Sequence, residues 1–212
     1  MPECFKELIN LNTHIAVWKI NELESELATG LELSKEALNR LSQRRSITHR
    51  KGYLAIRKLL RSHNIHPSIH KYDKNGAPYL TDGRHLSISH TKDVAAIAIS
   101  FQPVGIDLEH YQEKIIKIAP RFLHLKESLD LNKNKEIHYL SQIWTAKEAL
   151  YKAFRKPGIH FKTQLLIDQV DADTKDGVGS VFYNKRIKKY KLYFRHFDNF
   201  CLSLAITKKN NV

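Results

Sequence analysis

Asp107 and Glu109 stand two residues apart in Val-Gly-Ile-Asp-Leu-Glu, residues 104–109, where every other position is apolar or glycine. In a strand, alternate residues share a face, so Ile106 and Leu108 are expected to enter a core while the two acids project together from the opposite side. Like charges at that spacing repel, and a cation held between them removes the repulsion: a hard, oxygen-seeking metal or a basic side chain. A bare Asp-X-Glu is also a common feature of an exposed strand face paired with lysines. The stretch that bears on the choice is WTAKEALYKA, residues 144–153. On a helix, Trp144, Glu148 and Lys152 follow at i, i+4 and i+8 and form one stripe, so an acid and a base share a face. Alone, that is an ordinary Glu–Lys surface pair. Beside Asp107 and Glu109, Glu148 completes an oxygen donor set suited to Mg²⁺, which retains water and shares its remaining positions with phosphate oxygens that Lys152 would face. Ser89 and His90, at the end of a short strand SISH, offer a hydroxyl and an imidazole to the same ligand. An isolated histidine of this kind is otherwise an ordinary polar surface residue. Neither a GxxxxGK[ST] nor a GxGxxG loop occurs, which disfavours a P-loop nucleotidase or a Rossmann dehydrogenase and leaves phosphate binding to side chains.

The elements that must position these groups are legible in outline. THIAVWKI (13–20) is short, aromatic and β-branched, hence a strand. Ser34 is placed to cap a long basic helix running to Leu60, with Gly52 as its weak point. DKNGAPYL (73–80) has turn chemistry followed by a strand, and HLSISH, DVAAIAIS and VGIDLE read as a three-stranded meander. A polar, mostly helical region follows Glu109. A helix then spans Glu136 to Phe154, stopped by Arg155, Lys156, Pro157 and Gly158. LLIDQV, GSVFYN, KLYFRHF and FCLSLAIT close the chain as four short strands.

Composition bounds the function. With 212 residues and 42% hydrophobic content, the chain can form one large or two small domains with a real core. A formal net charge of +13 implies either general attraction to nucleic acid or a specific polyanionic ligand or acidic partner. Cys4 and Cys201 lie far apart with no CxxC spacing, so reduced thiols in a reducing cytoplasm are expected. The start MPECFKELIN has no apolar signal core, and VAAIAIS is too short to span a bilayer, so a soluble protein is expected.

GIDLE (105–109) together with WTAKEALYKA resembles the paired signature of the 4'-phosphopantetheinyl transferases, with SISHTKD ahead of both and an NGxP element at Asn75–Pro78. In length the chain is similar to the long, surfactin-synthetase-activator type. The resemblance covers most of residues 34–170. It implies an α+β monomer of two similar fused halves related by a pseudo-two-fold axis, 1–103 and 104–212, each a helix packed on a small antiparallel sheet, with the active site at their junction. It also implies that Asp107, Glu109 and Glu148 surround Mg²⁺ on the pyrophosphate of coenzyme A. Lys152 would contact the phosphates, Ser89 and His90 the nucleotide portion, and Arg50 and Arg57 would lie near coenzyme A, with Glu148 and Lys152 as catalytic groups. The implied reaction moves the phosphopantetheine arm to a serine of an acidic apo acyl or peptidyl carrier protein, with no nucleic acid or membrane as partner. Ala77 departs from the family's GKP element, leaving Lys74 or Arg84 to replace the missing lysine. The readings that remain beside it are a basic nucleic-acid-binding module, gripping phosphate with arginine and lysine and stacking on KKYKLYFRHF, and another Mg²⁺-dependent phosphotransferase or nuclease.

Overall fold

Thr13–Lys19 (β2), the aromatic and β-branched run, lies inside a four-stranded antiparallel sheet with Glu3–Asn10 (β1), His85–His90 (β5) and Val94–Ser100 (β6), in the order β1-β2-β6-β5. The computed structural model describes residues 3–128, 136–168, 170 and 173–208, and the chain divides into two units, 1–102 and 103–212. Strand β1 is absent from the sequence reading. Its positions alternate between half-buried and exposed, as an edge strand's do, and its Lys and Glu content hides the pattern. A small hairpin, His70–Tyr72 (β3) with Pro78–Leu80 (β4), stands beside this sheet.

Three helices complete the first unit: Glu24–Ala28 (α1), Lys35–Ser42 (α2) and Ile47–Ser62 (α3). Ser34 caps α2 as expected, its hydroxyl accepting from the Ala37 amide at 3.2 Å. The long basic helix is broken, but at residues 43–46 rather than at Gly52. Gly52 remains within α3 because its missing side chain leaves room for His90. A Cβ there would stand 2.8 Å from His90 Nδ1. Leu54 and Leu59 of α3 meet Trp18, Leu86 and Ile97 of the sheet in the core of this unit.

The second unit contains Val104–His110 (β7), Lys114–Phe122 (α4), a 3₁₀ turn at Leu125–Ser128, Ile137–Phe154 (α5) and Phe161–Gln164 (α6). Leu165–Asp168 (β8), Asp176–Tyr183 (β9), Arg186–His196 (β10) and Phe200–Thr207 (β11) complete it. Part of the expected polar helical region, residues 129–135, and Gln169 of the LLIDQV run lie outside the described residues. The sheet order is β7-β11-β10-β9-β8, antiparallel throughout. The expected meander therefore ends at β6. Strand β7 belongs to the second sheet, because the free edge of β6 is already taken by β2. Tyr190, Leu192 and Phe194 of β10 pack with Leu140, Ile143 and Leu150 of α5. Helix α5 ends where expected, with Arg155 in the left-handed region at φ 57°. The protein is thus α+β, each unit carrying one long helix against an antiparallel sheet. Among the described residues, no helix is long and apolar enough to cross a membrane.

One close approach governs the second unit. Gly105 of β7 lies directly under α5, and a Cβ there would collide with the carbonyl oxygen of Ala149 and come within 2.6 Å of the Ala153 amide. These are backbone atoms and cannot swing aside. Gly105→Ala should therefore push α5 off β7 and cost about 3 kcal/mol of stability. Urea unfolding would show this as a lower midpoint, and an unchanged midpoint would mean that the two elements are not held this tightly.

Candidate active site

Residues 105, 107 and 109 share one face of β7, and Gly105 shows that this face is the one turned toward α5. The acids accordingly do not project from an exposed strand face. Asp107 is only 6% exposed, and Ile106 and Leu108 on the other side are buried as well. Buried without a partner, an ionised Asp107 would be strongly destabilising. Its partner is Lys152 of α5, whose Nζ donates to Asp107 Oδ1 at 2.7 Å and to the Ile106 carbonyl at 3.0 Å. The Trp144 side chain lies beside Glu109 and favours its ionised form against burial. The stripe Trp144–Glu148–Lys152 thus faces the β7 acids, as its spacing predicts.

Electrostatics in this cluster are frustrated. Burial, then the charges of Asp107 and Glu109, push Glu148 from its ordinary 4.5 up to about 7, against the opposing pull of Lys152. Burial and Asp107 likewise raise Glu109. Three mutually repelling carboxylates have the chemistry of a hard divalent-cation site, all oxygen and net negative. As folded, Lys152 supplies the positive charge at Asp107. Among the described residues, no three His, Cys, Asp or Glu side chains converge closely enough to hold a metal ion on their own. A divalent cation entering here competes with Lys152 for the Asp107 carboxylate.

The raised Glu148 value carries a sign for stability. Between pH 4.5 and about 7 the folded chain holds a proton that the unfolded chain has released, so stability falls as pH rises through that window. The loss amounts to about 3 kcal/mol when complete. Glu148→Gln removes the titration. The variant should be as stable as the parent near pH 4.5 and more stable at pH 8, and parallel urea midpoints across the window would contradict this assignment.

The remaining residues of the helix motif fasten α5 in place. Thr145 is buried, and its hydroxyl pairs with that of Ser203 at 2.7 Å, tying α5 to β11 next to Asp107. Trp144 packs against Phe122 and Phe161. Lys147 has no exposed surface, and its Nζ donates to the carbonyls of Phe122 at 2.6 Å, Phe161 at 3.1 Å and Leu165 at 3.0 Å. It also pairs with Glu127 at 2.7 Å. Glu127 in turn accepts from the amides of His124 and Ile167, at 2.7 and 2.8 Å. Burial raises the Glu127 pKa and lowers that of Lys147, while each partner restores the other's charge. The four oxygen acceptors around Nζ outnumber the three N–H donors of an ammonium, so every proton on Nζ is engaged. In the sequence, Leu140, Ile143, Lys147 and Leu150 follow the 3-4-3 spacing of one apolar stripe, which marks the lysine as internal.

Other expected site residues lie in the first unit. Ser89 is buried near the end of β5, and His90 faces Gly52 with His49 at a ring-centroid distance of 6.2 Å. Arg50 is engaged within the unit: Nε donates to both Glu24 carboxylate oxygens at 2.9 Å, and NH1 donates to the carbonyls of Arg44 and Arg45. Arg57 donates to the Tyr72 hydroxyl at 3.0 Å. Helix α3 turns about 140° between Gly52 and Arg57, so Arg57 and His90 lie on different sides of it. Arg84 pairs with Asp82, while Asp73 accepts from the Asn75 and Ala77 amides to close the turn holding Ala77.

The model of the 4'-phosphopantetheinyl transferase superfamily matches residues 103–205, nearly the whole of the second unit. Among curated proteins, the chain is 38% identical over 111 residues to 4'-phosphopantetheinyl transferase gsp of Aneurinibacillus migulanus, covering 50% of this chain and 47% of that protein. It is 34% identical over 92 residues to 4'-phosphopantetheinyl transferase Sfp of Bacillus subtilis (strain 168), covering 42% of this chain and 41% of that protein. The match thus spans less than half the length of either relative. Residues 103–205, the unit that carries the β7–α5 cluster, are thus similar to the 4'-phosphopantetheinyl transferase superfamily.

Proposed function

We propose that this chain transfers the 4'-phosphopantetheine arm of coenzyme A to a serine of an apo carrier protein, releasing adenosine 3',5'-bisphosphate. The observation that carries the reading is the meeting of Asp107 and Glu109 on β7 with Glu148 and Lys152 on α5, within the matched unit. In the reaction, the serine oxygen forms a bond to the phosphorus that bears pantetheine. The pyrophosphate bond to the other phosphorus breaks, and the bisphosphate leaves with the bonding electron pair. Asp107, Glu109 and Glu148 are assigned to hold Mg²⁺, which when bound supplies positive charge to the pyrophosphate oxygens and the leaving group. Lys152, released from Asp107, adds a fixed ammonium facing the phosphates. Glu148 is assigned to take the serine proton. Ser89 and His90 are assigned to the nucleotide portion of coenzyme A.

The net charge of +13 raises encounter rates with polyanionic coenzyme A and with an acidic carrier protein alike. In KKYKLYFRHF, the run that the nucleic-acid reading would use for stacking, Tyr190 and Phe194 are buried in the core of the second unit, while Tyr193 and Phe197 are half-buried. Incubating an acidic apo carrier protein with coenzyme A, Mg²⁺ and this protein, followed by mass spectrometry of the carrier, tests the proposal. Gain of one phosphopantetheine mass supports it. An unmodified carrier, when a known transferase modifies the same preparation, would overturn it.

A further inference from the structure

A cavity of about 370 Å³ lies inside the first unit, lined by α2, α3 and the segment from Asn64 into β3. Its lining combines two chemistries. Leu31, Leu33, Leu60 and Ile65 supply aliphatic surface, while Arg57 and His70 supply nitrogen donors. Arg57 is only 9% exposed, with its guanidinium 3.6 Å over the Tyr53 ring and one nitrogen on the Tyr72 hydroxyl. Its other terminal nitrogen, NH1, is buried and makes no hydrogen bond, and the same holds for Nε2 of His70. A guanidinium keeps its charge at every working pH, so a buried donor left unmet costs free energy that an anion would recover. His70 contributes without charge: burial, then Arg57 and Arg40, hold its pKa down at about 3.

We propose that this cavity binds a short aliphatic carboxylate, its oxygens accepting from Arg57 NH1 and His70 Nε2 and its hydrocarbon lying on the leucines. Three observations select that class. The lining sets three guanidiniums, Arg40, Arg57 and Arg61, against two carboxylates, Glu32 and Glu36, with Arg40 paired to Glu36 at 3.0 Å, which leaves about one uncompensated positive charge and suits a monoanion better than a phosphate dianion. Guanidinium groups already stack on the rings of Tyr53 and Tyr72, at 3.6 and 4.0 Å, which takes up faces a nucleobase would use. Arg57 also lies on a different side of α3 from Gly52 and His90, so the cavity is separate from the nucleotide contacts assigned above. The inference stands independently of the transferase reading.

Octanoate, which is small enough for the cavity, is the probe. Calorimetric titration of the full chain should show one saturable site. Arg57→Gln should weaken binding about tenfold or more, the loss expected for a charge-assisted hydrogen bond. Leu33→Trp leaves Arg57 in place and fills the aliphatic side, so it should abolish binding, and it carries the test should the arginine variant fail to fold. Adenosine 3',5'-bisphosphate should leave octanoate binding unchanged. Absence of binding to the parent, binding insensitive to a folded variant, or displacement by the bisphosphate would each overturn the proposal, the last by making the cavity part of the coenzyme A site.

Discussion

Glu148→Ala should reduce phosphopantetheine transfer at least about a hundredfold, because one substitution removes both a proposed Mg²⁺ oxygen and the proposed proton acceptor. The same change should not destabilise the fold at pH 8. Glu148 ionises there only against burial and the charges of Asp107 and Glu109, so its removal relieves repulsion. Asp107→Ala should match it in activity but differ in stability, since it strips a buried ion-pair partner from Lys152. Initial rates of carrier modification, read with urea midpoints for the same preparations, separate the two effects. A Glu148→Ala variant retaining more than a tenth of parental activity would remove Glu148 from the chemistry. A variant that loses both activity and stability together would reassign it to a structural role.

Lys147→Met should destabilise the second unit by about 3–5 kcal/mol, a loss large enough to unfold a marginal domain, because it leaves Glu127 buried and uncompensated. The three carbonyls of Phe122, Phe161 and Leu165 also lose their donor. Lys147 precedes Glu148 in the sequence, and a catalytic and a structural role for it predict different outcomes. A catalytic lysine would leave the urea midpoint in place while activity disappears. The structural role predicts a fallen midpoint, and partial recovery in Lys147→Met/Glu127→Leu, where no unpaired charge remains. A single variant as stable as the parent would refute the structural assignment.

These outcomes rest on features of unequal visibility in the chain. The helix 136–154 and its stop, the alternation that gives Asp107 and Glu109 one face, and the stripe of Trp144, Glu148 and Lys152 are local. Each follows from a period of 2 or 3.6 or from a terminating residue, and each stands in the structure. The α+β class follows from the same local signals. Strand β1 escaped because an edge strand needs no apolar face to be recognised by, and the break at 43–46 rather than Gly52 depends on what lies across from the helix.

Only the tertiary structure decided which partner each face meets. Strand β7 reads as the third strand of a meander, yet pairs with β11 some hundred residues later, because β2 already occupies the edge it would have used. Alternation puts the acids on the face opposite Ile106 and Leu108, but it is glycine at 105 that lets α5 cover that face, and the burial raises the Glu148 pKa. Lys147 and Lys152 are five residues apart on one helix, and although the apolar stripe marks Lys147 as internal, nothing local names the partners of either lysine. Their fates diverge because one ends among Glu127 and three carbonyls brought in from residues 122–165, and the other at Asp107. Sequence spacing specifies which side chains share a face. The charge state and function of a side chain depend on the dielectric and the partners that distant segments place around it.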